Sequence, residues 1–119
     1  MFVRKIEDTE KVEWMEGVEK RLMIGPKDGA PNYIMRVYDI SPGTSFPLHA
    51  HNYEHEGTVL SGMGALVGKE GELNVEPGDV YFVPPNEPHS MINNGKKVLR
   101  LLCTSPLCAY NAMADPANK

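Results

Sequence analysis

Glycine and proline punctuate this chain so densely that no long helix fits between them. The 11 glycines and 10 prolines gather in "IGPKDGAPN", "SPG", "SGMG", "KEGE", "EPGD", "PPNEP" and "NNG". Between them lie short runs rich in Val, Ile, Leu, Tyr and Phe: "EKRLMI", "YIMRVYDI", "TVLSG", "ALVGKE", "VYFVP", "SMIN" and "VLRLLCT". Each run has the length of a strand, and strands separated by turn residues predict an all-β sandwich or barrel. No window of about a dozen residues free of Gly and Pro carries a helical stripe. The nearest is "EDTEKVEWMEGVEK", where Val12, Met15 and Val18 recur every three residues. Gly17 and the following "RLMI" suit an extended arm equally well. The end of the chain, "PLCAYNAMADPANK", predicts one short helical turn and then a frayed tail.

A length of 119 residues is that of one domain, with a barrel core expected over about 20–106, an arm over 1–19 and a tail over 107–119. A chain of this size buries roughly two thirds of its unfolded surface and needs no staples. The net charge of -4 and pI of about 5.5 argue against the basic face that nucleic acid or an anionic membrane requires. No apolar run approaches the roughly 20 residues of a membrane span. The start, "MFVRKIEDTEKVEW", turns charged at once and lacks the apolar stretch of a signal peptide, so the expected compartment is the cytoplasm. Cys103 and Cys108 are too few for a disulfide framework and read as reduced thiols. The 7 methionines read as soft core filler.

The chemistry concentrates in "HAHNYEHE", His49 to Glu56, which holds three of the 4 histidines. Side chains of a strand alternate faces, so His49, His51 and His55 project one way if the segment is extended, and Glu54 and Glu56 project the other. Imidazole suits divalent first-row metals, and three donors on one face are placed to hold such an ion. The fourth, His89, follows a turn-rich break in "PPNEPHSMIN", as a ligand from a neighbouring strand would.

The residues flanking these histidines resemble the cupin family. "GTSFPLHAHNYEHEGTVLSG" is similar to its first motif through Gly43, His49, His51 and Gly62, and "GDVYFVPPNEPHSMIN" to its second through Gly78, Pro84, His89 and Asn93. Asn86 stands where glycine is usual, and Asn is the residue best able to adopt a positive φ in its place. The resemblance implies an all-β, single-domain jelly-roll barrel, the double-stranded β-helix. The usual cupin ligand set is three His and one Glu. Here either His55 or Glu56 fills the glutamate place, and strand parity favours His55. The chain also resembles small single-domain bacterial cupins that bind manganese through four histidines, with similarity extending into "EKRLMIGPKDGAPNYIMRVYDISPG" and "VLRLLCTSP". That implies His49, His51, His55 and His89 as ligands to a divalent metal, Mn2+ first, with Fe2+, Ni2+, Zn2+ and Cu2+ as alternatives. Glu56 then belongs to the second shell or the opposite face.

Four neutral ligands leave the ion its full charge, making it a stronger Lewis acid than a carboxylate-bound one. On an octahedral ion they leave two positions for water, dioxygen or a chelating substrate, whereas structural zinc prefers a closed tetrahedral set. With every histidine spent on the metal, His acid–base catalysis is unavailable. The expected function is a Mn- or Fe-dependent, dioxygenase-like oxidoreductase acting on a small metal-chelating molecule. A non-catalytic binding or sensing module and an oxalate decarboxylase-like lyase are the alternatives. Barrel logic adds Met91, which shares the face of His89; Leu101 and Cys103 share a face of the last strand, which the resemblance to the four-histidine group places near the metal; Phe46 packs at the mouth, and Arg36 is a candidate to pair with an anionic substrate. Tyr53 is a loop residue that needs no role. The resemblance to small cupins, which usually pair, together with an exposed sheet face and free strand edges, implies a homodimer with "EKRLMI" and neighbouring strands in the contact.

Overall fold

The computed structural model describes residues 1–111. Nine strands form two antiparallel sheets: β1 (Lys11–Met15), β2 (Val18–Ile24), β3 (Tyr33–Ile40), β4 (His55–Ser61), β5 (Gly64–Gly68), β6 (Gly71–Val75), β7 (Val80–Val83), β8 (Ser90–Ile92) and β9 (Leu99–Pro106). The larger sheet runs β1-β2-β3-β9-β4-β7 and the smaller β6-β5-β8. Isolated bridges, Ser45 to Ile92 and His49 to His89, extend the smaller sheet with the irregular segment that follows β3. Packed face to face, the sheets make the jelly-roll barrel that the strand pattern and the resemblance both implied. The one α-helix among the described residues, α1 (Cys108–Asn111), is the short turn expected near the C-terminus. The tail expected to fray, 112–119, lies outside the described residues. No helix among them is long and apolar enough to cross a membrane.

The alternation that predicts a half-buried strand is strict in β9, where Leu99, Leu101, Cys103 and Ser105 are buried and their neighbours less so. Leu99, Leu101 and Cys103 join Val18, Tyr38, Ile40, Val59, Val75 and Met91 in the main apolar cluster. Trp14, Tyr38 and Phe46 close one end of it, with ring centroids 5.0 to 5.9 Å apart in tilted and edge-on arrangements. Each such pair contributes about 1 kcal/mol beyond the area it buries. Asn93 ties the sheets together from within. Its amide nitrogen donates to the carbonyls of Ile40 and Lys97, and its oxygen accepts from the Gly95 amide.

The N-terminal boundary differs from the sequence expectation. Residues expected to form an arm or a weak helix fold as the β1–β2 hairpin, and only residues 1–10 remain outside the sheets. Gly17, at φ 84°, makes the turn, and any side chain there would meet Thr44. The three-residue apolar spacing that suggested a helix comes from adding β1 to β2 across this turn. The segment "EKRLMI" is also internal: β2 lies between β1 and β3. Its outer side is covered by the chain's own N-terminus, where Arg4 donates to the Met23 carbonyl and Arg21 donates to the carbonyls of Ile6 and Thr9. In the larger sheet the open strand edges are those of β1 and β7, not β2.

Candidate metal centre

Four imidazoles meet inside the barrel near one end. His49 stands opposite His89 across the bridge between them, where each amide donates to the other's carbonyl, at 3.1 and 2.9 Å. His51 lies in the connection from the smaller sheet to the larger, and its carbonyl accepts from the Asn86 amide at 2.7 Å. His55 opens β4, paired with Val83 of β7. Asn86 has φ 67°, the one positive φ at a non-glycine among the described residues, as its place in the second motif anticipates. One ring nitrogen from each histidine lies within 4.8 Å of the other three. Donors about 2.1 Å from a shared ion are at most about 4.2 Å apart, so the rings need to close by only a few tenths of an ångström.

The hydrogen bonds decide which nitrogen faces that centre. Nδ1 of His49, His51 and His89 lies 2.8, 2.7 and 2.8 Å from the carbonyls of Pro47, Tyr53 and Glu87. A carbonyl only accepts, so each Nδ1 carries the proton and each Nε2 presents a lone pair. Nε2 of His51 and of His89 is buried without a hydrogen-bond partner in the protein. A buried lone pair costs free energy unless something fills it, and a metal ion does. His55 is anchored differently: its Nδ1 lies 2.8 Å from Ser105 Oγ and 3.4 Å from Cys103 Sγ. Burial, then neighbouring His51 and His89, lowers the His55 pKa to about 3. Burial is also the first cause that lowers His51 and His89. His51, His55 and His89 are therefore held neutral, the state that a metal requires.

Three of the expected ligands thus converge for a reason other than strand parity. The segment from His49 to His55 is not one strand, since residues 50–54 form a loop between the sheets. Parity does place Glu56: it stands on the exposed outer face of β4, outside the donor cluster, which removes it from a second-shell position. Phe46, Met91, Leu101 and Cys103 line the cavity beside the histidines. Arg36 does not. It is buried and absent from the cavity lining; its guanidinium donates to the Ala109 carbonyl at 3.3 Å and its charge bears on Tyr38 and Tyr53. Tyr53 in turn stacks on His51, centroids 3.8 Å apart and planes 9° from parallel. Arg36 therefore supports a ligand from behind and is not placed to meet a substrate.

Sequence reasoning missed Trp14, Tyr38, Tyr81, Leu66 and Val83 in the wall. Tyr81, Gly57 and Cys103 form a row across β7, β4 and β9. A Cβ at Gly57 would fall 2.4 Å from the Tyr81 hydroxyl, so the absence of a side chain there lets the ring lie across β4. The Tyr81 hydroxyl thereby reaches the Cys103 thiol. Burial raises the pKa of both groups, which keeps them protonated. Cys103 and Cys108 are both free thiols. Lys20, 1% exposed, was also missed. Its amine lies 5.2 and 5.4 Å from the ring centroids of Trp14 and Tyr38, and burial, reinforced by Arg36, lowers its pKa to about 6. Ser105 was within reach of sequence reasoning, since it shares the parity of Leu101 and Cys103.

Comparison with known proteins agrees with this geometry. A family model described as "Cupin domain" matches residues 36–105. Among curated proteins, 77 residues are 34% identical to mannose-1-phosphate guanylyltransferase RfbM of Salmonella typhimurium, covering 63% of this chain and 16% of that protein. Another 33% match over 64 residues, to an uncharacterized protein of Methanocaldococcus jannaschii, covers 53% of this chain and 51% of that one. The chain thus spans about half, or much less, of the curated relatives it matches. Among solved structures, the polyketide cyclase RemF from Streptomyces resistomycificus superposes with a TM-score of 0.83 at 25% identity, covering 99% of this chain and 97% of that one. A predicted oxalate decarboxylase from Thermotoga maritima has a TM-score of 0.77 at 24% identity, covering 89% and 99%, and bears on the fold alone.

Proposed function

The chain belongs to the cupin family, and from that premise we propose that it is a metal-dependent enzyme acting on a small molecule that chelates a divalent ion through oxygen atoms. The carrying observation is the set of four imidazoles around one point, two of them with a buried Nε2 that has no hydrogen-bond partner in the protein. In this reading His49, His51, His55 and His89 hold the ion through Nε2. Manganese is the first candidate and Fe2+, Ni2+, Zn2+ and Cu2+ are alternatives. The ion supplies Lewis acidity and, if manganese or iron, access to one-electron chemistry. The chain's own residues do the rest. Trp14, Tyr38, Phe46, Leu101 and Met91 exclude water, which strengthens every charge interaction inside the cavity. Tyr81 and Cys103, both protonated, present hydrogen-bonding groups to whatever occupies it. Among the described residues no carboxylate lines the cavity and its imidazoles are those of the ligand set, which favours the ion over a histidine pair as the agent of the chemistry.

We favour oxidative, dioxygenase-like turnover. A second reading is non-redox catalysis by the same Lewis acid, as in a cyclase or a decarboxylase. Similarity to RemF over nearly the full length of both chains supports it, as does a donor set that leaves the ion its full charge. The test is turnover of chelating 2-oxo and hydroxy acids by protein reconstituted with Mn2+ or Fe2+, with dissolved oxygen recorded. Product formed with oxygen uptake supports the first reading; product formed without it supports the second. Binding with no product under any metal leaves a ligand-binding module. We also propose pairing into a homodimer through the open edge of β1, which sizing at micromolar concentration tests.

A further inference from the structure

The metal cavity is small. Its space is about 50 Å³, less than the liquid volume of two water molecules, each roughly 30 Å³. A chelating head of a few atoms fits there, and anything larger must leave by a defined route. The topology supplies one. The larger sheet ends at β7 and the smaller at β6, and neither edge pairs with the other, so the barrel has a lateral seam. A groove of about 230 Å³ occupies it, between the β5–β6 hairpin and β7, and shares Leu66, Val83 and His89 with the metal cavity.

The lining indicates what the groove takes. Leu66 and Leu73 are paired across β5 and β6, and Phe82 of β7 contributes to the lining from the edge of the larger sheet. Leu73 is 68% exposed and Phe82 58%. A single exposed apolar side chain is ordinary. Two that line one groove continuous with a metal cavity indicate a binding surface. The charged residues of the groove are Lys69, Glu70 and Glu87. They give a mixed, slightly acidic rim that disfavours a phosphate or carboxylate tail. We infer that this seam is the subsite for an uncharged alkyl or aryl tail on the substrate whose chelating head is held by the histidines. The inference rests on the proposed function and narrows it: two-carbon diacids use only the head site, and the preferred substrate is a chelating acid with an apolar extension.

The test compares binding of pyruvate, 2-oxohexanoate and phenylpyruvate to the full chain loaded with Mn2+, by calorimetry and without turnover. A fully buried methylene strengthens binding about fourfold. In a half-open groove, 2-oxohexanoate should therefore bind at least about tenfold more tightly than pyruvate. In Leu73→Ser/Phe82→Ser that ratio should collapse toward one. Both residues are exposed, so the variant should keep the wild-type melting temperature. Equal affinities across the series in the wild type overturn the inference while leaving the metal site and its chelating ligand intact. A ratio that survives the double substitution, with a shift from dimer to monomer instead, assigns the seam to a second copy and also overturns it. Failure of all three acids to bind the Mn2+ form overturns the proposed function and the tail subsite together.

Discussion

Lys20 offers a test of the barrel interior that needs neither metal nor substrate. The fold holds this lysine 1% exposed among pocket-wall aromatics, and burial together with Arg36 lowers its pKa from 10.5 to about 6. The unfolded chain keeps the lysine proton up to about 10.5, whereas the folded chain loses it above about 6. Between those values the unfolded state binds one more proton than the native state, so stability rises with pH, by about 1.4 kcal/mol per unit. It is lost again as pH falls toward the folded value. Lys20→Met keeps the length of the side chain and removes the proton. From pH 7 to pH 9, wild type should gain about 3 kcal/mol relative to Lys20→Met. The assay is urea unfolding of both proteins across that range, comparing differences in extrapolated free energy so that every other titrating group cancels. Opposing the shift are the rings of Trp14 and Tyr38, whose faces favour an ammonium. Parallel stability curves would show that the rings win and that Lys20 is charged inside the barrel, and the reasoning from burial would be refuted.

Gly57→Ala should lose about 2–3 kcal/mol in chemical denaturation, because the added methyl meets the Leu102 carbonyl at 2.6 Å as well as the Tyr81 ring; an unchanged midpoint would mean that β4 shifts freely. Ser105→Ala removes the partner that orients His55 and should weaken Mn2+ binding about tenfold, measured by competition with a chelator, with little loss of fold stability. In metal-free protein, nitrogen NMR should find the His55 ring neutral at about pH 5, since its pKa is lowered to about 3; a midpoint near the ordinary 6.5 would contradict its burial. For the same reason the unfolded chain takes up this proton first, so the stability of the metal-free fold should fall as pH drops from about 6.5 toward about 3.

What was legible in the sequence was local. Alternation in "VLRLLCTSP" marks β9 and its inward face, and the turn residues on either side of "VYFV" mark β7. The spacing of the two histidine motifs identified the cluster even though the parity argument misdescribed the backbone: a loop, not a strand, brings His51 beneath His49. What was not legible depends on distant partners. Nothing near Arg36 says that α1 and Tyr53 will enclose it, so a buried support for His51 read as a residue awaiting an anion. Lys20 lies between the charged Glu19 and Arg21, so nothing local marks it as buried. Only the β2–β3 pairing, which sets it against Tyr38, makes its position internal. Gly57 carries no local signal of its role, since the ring that needs its missing side chain arrives from β7, more than 20 residues later.

The central claim is that four imidazole nitrogens hold one ion. Untagged protein should be stripped of metal, titrated with Mn2+, and analysed for bound metal after gel filtration, beside His55→Ala and His89→Ala. The account predicts one ion per chain in wild type and loss of that ion in both variants, with far-ultraviolet spectra unchanged. Wild type that retains no stoichiometric metal, or variants that retain it as well as wild type does, would contradict the account.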